Sequence, residues 1–376
     1  MKVLILGAGM VGRAIALDLH RRFQVKVADI KEENLSRLSQ GHGIAVVQAD
    51  LRDPVRLRAL VEDCDLVVGA VPGFMGFETL KTVIECGRNV VDISFFPEDP
   101  LPLDELARKN GVVAVCDMGV APGMCNVILG YHHRRMKVDS YLCLVGGLPR
   151  ERNWPWEYKA PFSPCDVIEE YVRPARYREN GALVVRPALS DPELLDFDGV
   201  GTLEAWNSDG LRSLLTTMED VPDMKEKTLR YPGHIEKVRI LRESGFFSDL
   251  PLDFGNFKLS PLQMTEKILF REDNWKLGEE QREFTVMKVV VRGVENDETK
   301  RYVYDLLDVY DSVTRTSSMA RTTGYACTAA VSLLADGRFR RVGLSPSEYL
   351  GEDESCFRAM LDYQRERKVL YRCHAG

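Results

Sequence analysis

Three glycines, Gly7, Gly9 and Gly12, stand in the spacing G-x-G-x-x-G, and a carboxylate, Asp29, follows seventeen residues after the last of them. Each glycine has a use in holding a pyrophosphate. Gly7 permits a tight turn, Gly9 lets backbone approach the phosphates, and Gly12 lets a helix pack on a strand. Met10 and Val11 open that helix, whose unpaired N–H groups would face the anion. Asp29 is placed to accept hydrogen bonds from the ribose hydroxyls of NAD and to repel the extra phosphate of NADP, so NAD is the expected cofactor. Other groups suit proton transfer. Asp92 and Asp117 follow apolar runs, where each could equally cap a turn or a helix. His234 has the intrinsic pKa for proton exchange, against the commoner structural role of a lone histidine.

These side chains need a scaffold to position them. Residues 1–30 read as a strand (2–6), the glycine turn, a helix to Arg22 and a second strand (25–28) ending on Asp29. The alternation continues with helices over 32–39, 54–62, 76–86 and 103–109, and strands over 44–48, 65–70, 89–93 and 112–116. Strands separated by helices of this length predict a parallel, doubly wound sheet with ligands at the C-terminal strand ends. Three such ends carry candidates: Ala70, Val71 and Pro72; Asp92; and Asp117. From Pro122 a further helix should end in His132, His133, Arg134 and Arg135, cations suited to a helix C-terminus. Residues 141–145 then read as a strand leading into GGLP, and the rhythm is lost to Ser213. Residues 285–294 and 301–309 predict a hairpin joined by ENDETK, a sheet of a different kind. The run of charge around Arg271 to Arg282 reads as a solvated face. Small residues over 320–334 suit a closely packed helix, and a last helix should begin near Glu352.

The expected fold class is α/β. It comprises a Rossmann-like doubly wound sheet over 1–121, an α+β substrate domain with a mixed or antiparallel sheet over 122–315, and C-terminal helices over 316–376. A chain of 376 residues exceeds what one compact core usually holds. Its net charge of −7 argues against nucleic acid or an anionic membrane as partner. No apolar run approaches the roughly 20 residues that span a bilayer, and the expected location is cytoplasmic. Nine cysteines without a C-x-x-C pair fit reduced thiols, and neither they nor the six histidines show metal-ligand spacing.

Taken together, GAGMVG, the DIS strand end, GVAPGM, GGLP, LEAWNSDGLRSLL (203–215) and TLRYPGH (228–234) resemble the saccharopine dehydrogenase-like superfamily over nearly the whole chain, most closely its lysine 6-dehydrogenase branch. The resemblance implies a Rossmann domain interrupted by a catalytic domain, with C-terminal helices packing back on the Rossmann part. It also implies NAD-dependent oxidation of the ε-amine of lysine to the 6-semialdehyde and ammonia. Two departures separate this chain from the saccharopine-forming branch: GVAPG stands where that branch has G-L-D-P-G, and Val145 stands where it has a cysteine before GGLP. The alternatives are a saccharopine or carboxynorspermidine dehydrogenase, or a protein that senses NAD(H) without catalysis. Superfamily resemblance gives Arg230 the grip on the substrate carboxylate, and a guanidinium fork suits it, although an arginine before Pro-Gly could be a surface cation. Hydride loss from an amine needs the ammonium proton removed first, which makes Asp92 and Asp117 candidates for base or ammonium anchor. Trp206 would line the slot for the lysine methylenes or simply belong to the core. The expected partners are the amino-acid substrate and further copies of the chain, as a homodimer or larger homo-oligomer.

Overall fold

A computed structural model describes residues 1–271, 273–278 and 281–376, which leaves Glu272, Glu279 and Glu280 of the charged run outside the described residues; Arg271 and Arg282 are exposed. Short apolar runs form the first sheet. They are β1 (Lys2–Leu6), β2 (Gln24–Asp29), β3 (Ala45–Gln48), β4 (Leu66–Gly69), β5 (Asn89–Asp92) and β6 (Val113–Cys116). Strands β4 and β6 are buried at every residue, as befits a parallel sheet covered on both faces. Between the strands run α1 (Met10–Leu19), α2 (Glu32–His42), α3 (Pro54–Val61), α4 (Gly73–Glu85) and α5 (Leu103–Lys109), and α6 (Met124–His133) follows β6. Local chemistry sets their ends. Asp53 caps α3 by accepting from Val55 N at 2.9 Å, with Pro54 in the first turn.

The chain then builds a mixed sheet. It comprises β7 (Lys137–Pro149), β8 (Ala175–Glu179), β9 (Ala182–Arg186), β10 (Ser190–Phe197), β11 (Gly201–Asn207) and β12 (Asp223–Arg230), with α7 (Pro164–Val172), α8 (Leu214–Thr217) and α9 (His234–Glu243) between or after them. A small ribbon, β13 (Leu252–Asp253) with β14 (Lys258–Leu259), precedes α10 (Pro261–Leu269). The predicted hairpin follows as β15 (Glu283–Glu295) and β16 (Glu298–Val309). Its strands run further than expected. The turn is not six residues but Asn296 and Asp297, at φ of 51° and 64°, the left-handed pair that matches strand twist. Sheet order is β10-β11-β12-β7-β15-β16-β18, with the β8–β9 hairpin joined to β12 and β18 supplied by Tyr371–Ala375. Strands β12 and β7 are parallel while β10, β11 and β12 are antiparallel.

After α11 (Ser318–Ala335) comes a strand that periodicity did not predict, β17 (Gly343–Pro346), which adds to β6 as the seventh strand of the parallel sheet. Its sequence, GLSP, is too short and too rich in breakers to signal a strand. Helices α12 (Glu348–Glu352) and α13 (Glu354–Glu366) follow, before the chain ends in β18.

Two compact units result. The first holds Met1–Lys137, Glu295–Asp297 and Ala320–Tyr371; the second holds Val138–Val294, Glu298–Met319 and Arg372–Gly376. The first unit thus runs past the boundary expected at 121, because α6 belongs to it: Asn126 Nδ2 donates to buried Glu348 at 3.2 Å, and a Cβ on Gly130 would overlap the Glu348 carbonyl. Within this unit Asp18, buried on α1, accepts from Thr328 of α11 and Tyr363 of α13, both at 2.7 Å, and from Arg367 Nε at 2.8 Å. Among the described residues no helix is long and apolar enough to cross a membrane.

Candidate functional site

The first unit presents a nucleotide cradle. Gly7 has φ of 107°, open to glycine, and a Cβ there would strike the carbonyl oxygen of Ala70. A Cβ on Gly12 would overlap the Gly7 carbonyl, so α1 can sit this close to β1 only without one. Gly9 is different: its Cβ direction is open. As N-cap of α1 it supplies no side-chain acceptor, and the first turn of α1 holds no acid, so the helix N-terminus is kept for a ligand's negative charge. Met10 at that terminus is exposed, Val71 is buried beside the turn, and Pro72 caps α4. These features fit a dinucleotide pyrophosphate.

Asp29 ends β2 with its carboxylate turned back on the cradle. Oδ2 accepts from Ala8 N at 2.6 Å and Oδ1 from Lys31 N at 2.7 Å. It therefore ties the glycine turn to the end of β2 while lying where a ribose would be read. Ile30 beside it is half exposed.

Asp92 and Asp117 close neighbouring strands, and Met118 N donates to the Asp92 carbonyl at 3.0 Å. Both are buried. Asp92 accepts from Ser94 N at 2.8 Å and packs where Gly69 has no Cβ; any side chain there would collide with it. Asp117 is left-handed, at φ of 54°, a conformation aspartate tolerates better than most residues but still unfavourable.

The second unit gathers Arg230 and His234 into one aromatic cluster. Arg230 is only 2% exposed, which rules out a surface cation. Its Nη2 donates to Glu170 at 2.6 Å and to the Tyr158 hydroxyl at 3.2 Å, and its Nη1 donates to the Leu229 carbonyl at 2.9 Å. The guanidinium lies 4.4 Å from the Tyr158 ring centroid and 5.5 Å from that of Trp206, which belongs to the core. Burial pushes the Glu170 carboxyl up, against the pull of Arg230. His234 lies between Tyr158, Tyr171 and Trp275. Its Nδ1 is 3.0 Å from the Trp156 carbonyl, which can only accept, so Nδ1 carries the proton and Nε2 accepts from Tyr171 at 3.0 Å. Burial, with the Arg230 charge second, pushes the imidazole down to about 3, so it is neutral at pH 7. Burial also lifts Tyr171 to about 12.

Sequence reasoning missed Glu170, Tyr158 and Tyr171, since nothing local marks a residue whose partner lies sixty positions away. Asp18 did leave a signal: a carboxylate on the face of α1 otherwise formed by Ala14, Ile15 and Leu19.

Residues 3–115 match a family model described as the saccharopine dehydrogenase NADP binding domain, and residues 119–369 one described as the saccharopine dehydrogenase C-terminal domain. The saccharopine dehydrogenase [NADP(+), L-glutamate-forming] of Pyricularia oryzae is 25% identical over 285 residues, 71% of this chain and 62% of that protein. The mitochondrial alpha-aminoadipic semialdehyde synthase of Mus musculus is 27% identical over 193 residues, 49% of this chain and 21% of that protein. The chain thus spans less than two thirds of these curated relatives. The apo, histidine-tagged saccharopine dehydrogenase (L-Glu forming) from Saccharomyces cerevisiae shares the fold, with a TM-score of 0.79 at 19% identity, covering 100% of this chain and 99% of that one. With both family domains matched in order along the same chain, the protein belongs to the saccharopine dehydrogenase family.

Proposed function

We propose that the protein is an NAD-dependent oxidoreductase acting on the CH–NH2 group at C6 of L-lysine, forming 2-aminoadipate 6-semialdehyde, which closes to the cyclic imine, and ammonia. The observation that carries the substrate assignment is a pair of departures, GVAPG over 119–123 and buried Val145 before GGLP, where the saccharopine-forming pattern has an acid and a thiol. Asp29 supports NAD, since a carboxylate at the end of β2 repels a 2′-phosphate.

Gly7, Gly9, Gly12 and the N-terminus of α1 would hold the pyrophosphate, with Ala70, Val71 and Pro72 along the nicotinamide side. A bound nicotinamide supplies the hydride acceptor. Asp117 takes the proton from the ε-ammonium, which frees the lone pair that must follow when C6 loses hydride, and Asp92 holds the β5 end in register through Ser94. Water then adds to C6 of the imine and ammonia departs. Arg230 keeps its buried Nε without a partner, while its Nη2 would have to release Glu170 to take the α-carboxylate.

The relatives favour a second reading, a saccharopine dehydrogenase using NADP. Initial rates with lysine, ornithine, saccharopine and carboxynorspermidine, each with NAD and NADP, separate the two. Lysine with NAD fastest supports the first; saccharopine with NADP fastest replaces it.

A further inference from the structure

Among the described residues strand β9 has one neighbouring strand, β8, so its other edge is open. The two strands are joined through Asn180 and Gly181, at φ of 52° and 78°, a two-residue left-handed turn. In such a hairpin the closing pair, Glu179 with Ala182, exchanges both backbone bonds, and bonded pairs then alternate along the ladder. Ala182, Val184 and Arg186 therefore point their N–H and C=O groups at β8. Leu183 and Val185 point theirs outward.

The open window is bounded at both ends. Gly181 N donates to the Pro222 carbonyl at 2.9 Å, and the Gly181 carbonyl accepts from Arg178 at 2.8 Å. Beyond Arg186, Pro187 has no N–H. What remains is Leu183 and Val185, whose side chains share one face and are each 58% exposed. Free strand edges are ordinarily short, charged or covered; this one carries two large apolar side chains.

We propose that this edge pairs with the same edge of a second copy, antiparallel and centred on Val184. That register is the one in which both outward residues of each copy are paired. Leu183 of each copy then faces Val185 of the other, each pair exchanging two backbone bonds and stacking two apolar side chains that are otherwise wet. The partner is identified by self-complementarity: a two-fold axis through Val184 maps the donors, the acceptors and the apolar pair onto themselves. The assignment stands apart from the enzymatic one.

Sedimentation velocity on the full chain, at about 1 to 50 μM, is the test. Wild type should sediment as an even-numbered assembly. A copy with Leu183→Glu and Val185→Glu, and another with Leu183→Lys and Val185→Lys, should each show half the wild-type mass with unchanged circular dichroism. Mixed in equal amounts they should recover it, because every cross-strand pair becomes Glu against Lys. A monomeric wild type, an acidic copy that keeps the wild-type mass, or a mixture that stays at half mass would each overturn the proposal. Should either charged copy fail to fold, Val185→Pro removes one outward donor without touching the β8 ladder; retention of wild-type mass by that variant would count equally against it.

Discussion

Arg230 and Glu170 meet at 2.6 Å inside the aromatic core of the second unit, an ion pair between residues sixty positions apart. The cluster around them is apolar enough that either charge alone would be costly. Arg230→Ala should therefore cost about 3–5 kcal/mol of stability. Replacing both partners by apolar residues, Arg230→Met with Glu170→Leu, should recover most of it. Urea unfolding of wild type and the two variants checks this. An Arg230→Ala protein as stable as wild type would show that the pair is not what holds this core.

The neutral state of His234 makes the fold sensitive to acid. Its pKa is about 3 in the folded chain, against 6.5 ordinarily, so between those values the unfolded chain binds the extra proton and stability rises with pH. His132 behaves alike, pushed down to about 4 by burial. Stability should be at its plateau above about pH 6.5 and fall as pH drops toward 4, by up to about 1.4 kcal/mol per unit of depressed pKa for each histidine. Midpoint temperature against pH should show this slope, and His234→Gln should flatten it. A slope unchanged in His234→Gln would remove the imidazole from the acid response.

Gly9 and Gly12 should fail differently. Gly9→Ala meets open space, so the protein should fold with near-normal stability yet bind NAD at least tenfold more weakly, the added methyl pointing where the pyrophosphate approaches. Gly12→Ala drives a methyl into the Gly7 carbonyl and should lose stability as well as binding. Thermal denaturation with titration calorimetry separates the two. Equal thermal losses in both variants would contradict the distinction.

Cofactor choice should turn on Asp29 and Ile30. Asp29→Ser with Ile30→Arg removes a repulsion and places a cation at a half-exposed position, and should move preference from NAD toward NADP by one to two orders of magnitude, roughly 10–100-fold in the ratio of affinities. Because Asp29 also accepts from Ala8 and Lys31, the same change should loosen the glycine turn and weaken both nucleotides somewhat. A wild-type protein that binds NADP more tightly than NAD would contradict the assignment.

The parallel sheet was legible because each strand carries its own apolar run and each crossover its own helix, and the glycine motif announced itself by spacing. What escaped notice was non-local. Strand β17 is specified by its pairing with β6 and not by its four residues, and Glu170 is defined by an arginine far along the chain. His234 shows the same limit: a histidine's pKa depends on what surrounds it, and the three rings that bury it come from α7, from the segment before α7 and from the segment after α10. In the second unit the β15–β16 hairpin and the strand leading into GGLP were legible, while the rest showed only as a change of rhythm, since mixed sheets are ordered by long-range register.

In the proposed reaction C6 of lysine gives up the hydride. Holding the reacting carbon near the nicotinamide, at about 3–3.5 Å, decides regiochemistry, so the labelled carbon reports the pose directly. Incubated with NAD and lysine deuterated at C6, the protein should yield NADH one mass unit heavier, while lysine deuterated only at C2 should yield unlabelled NADH. Label transferred from C2, or no transfer from lysine alongside ready reduction by saccharopine, would contradict the account.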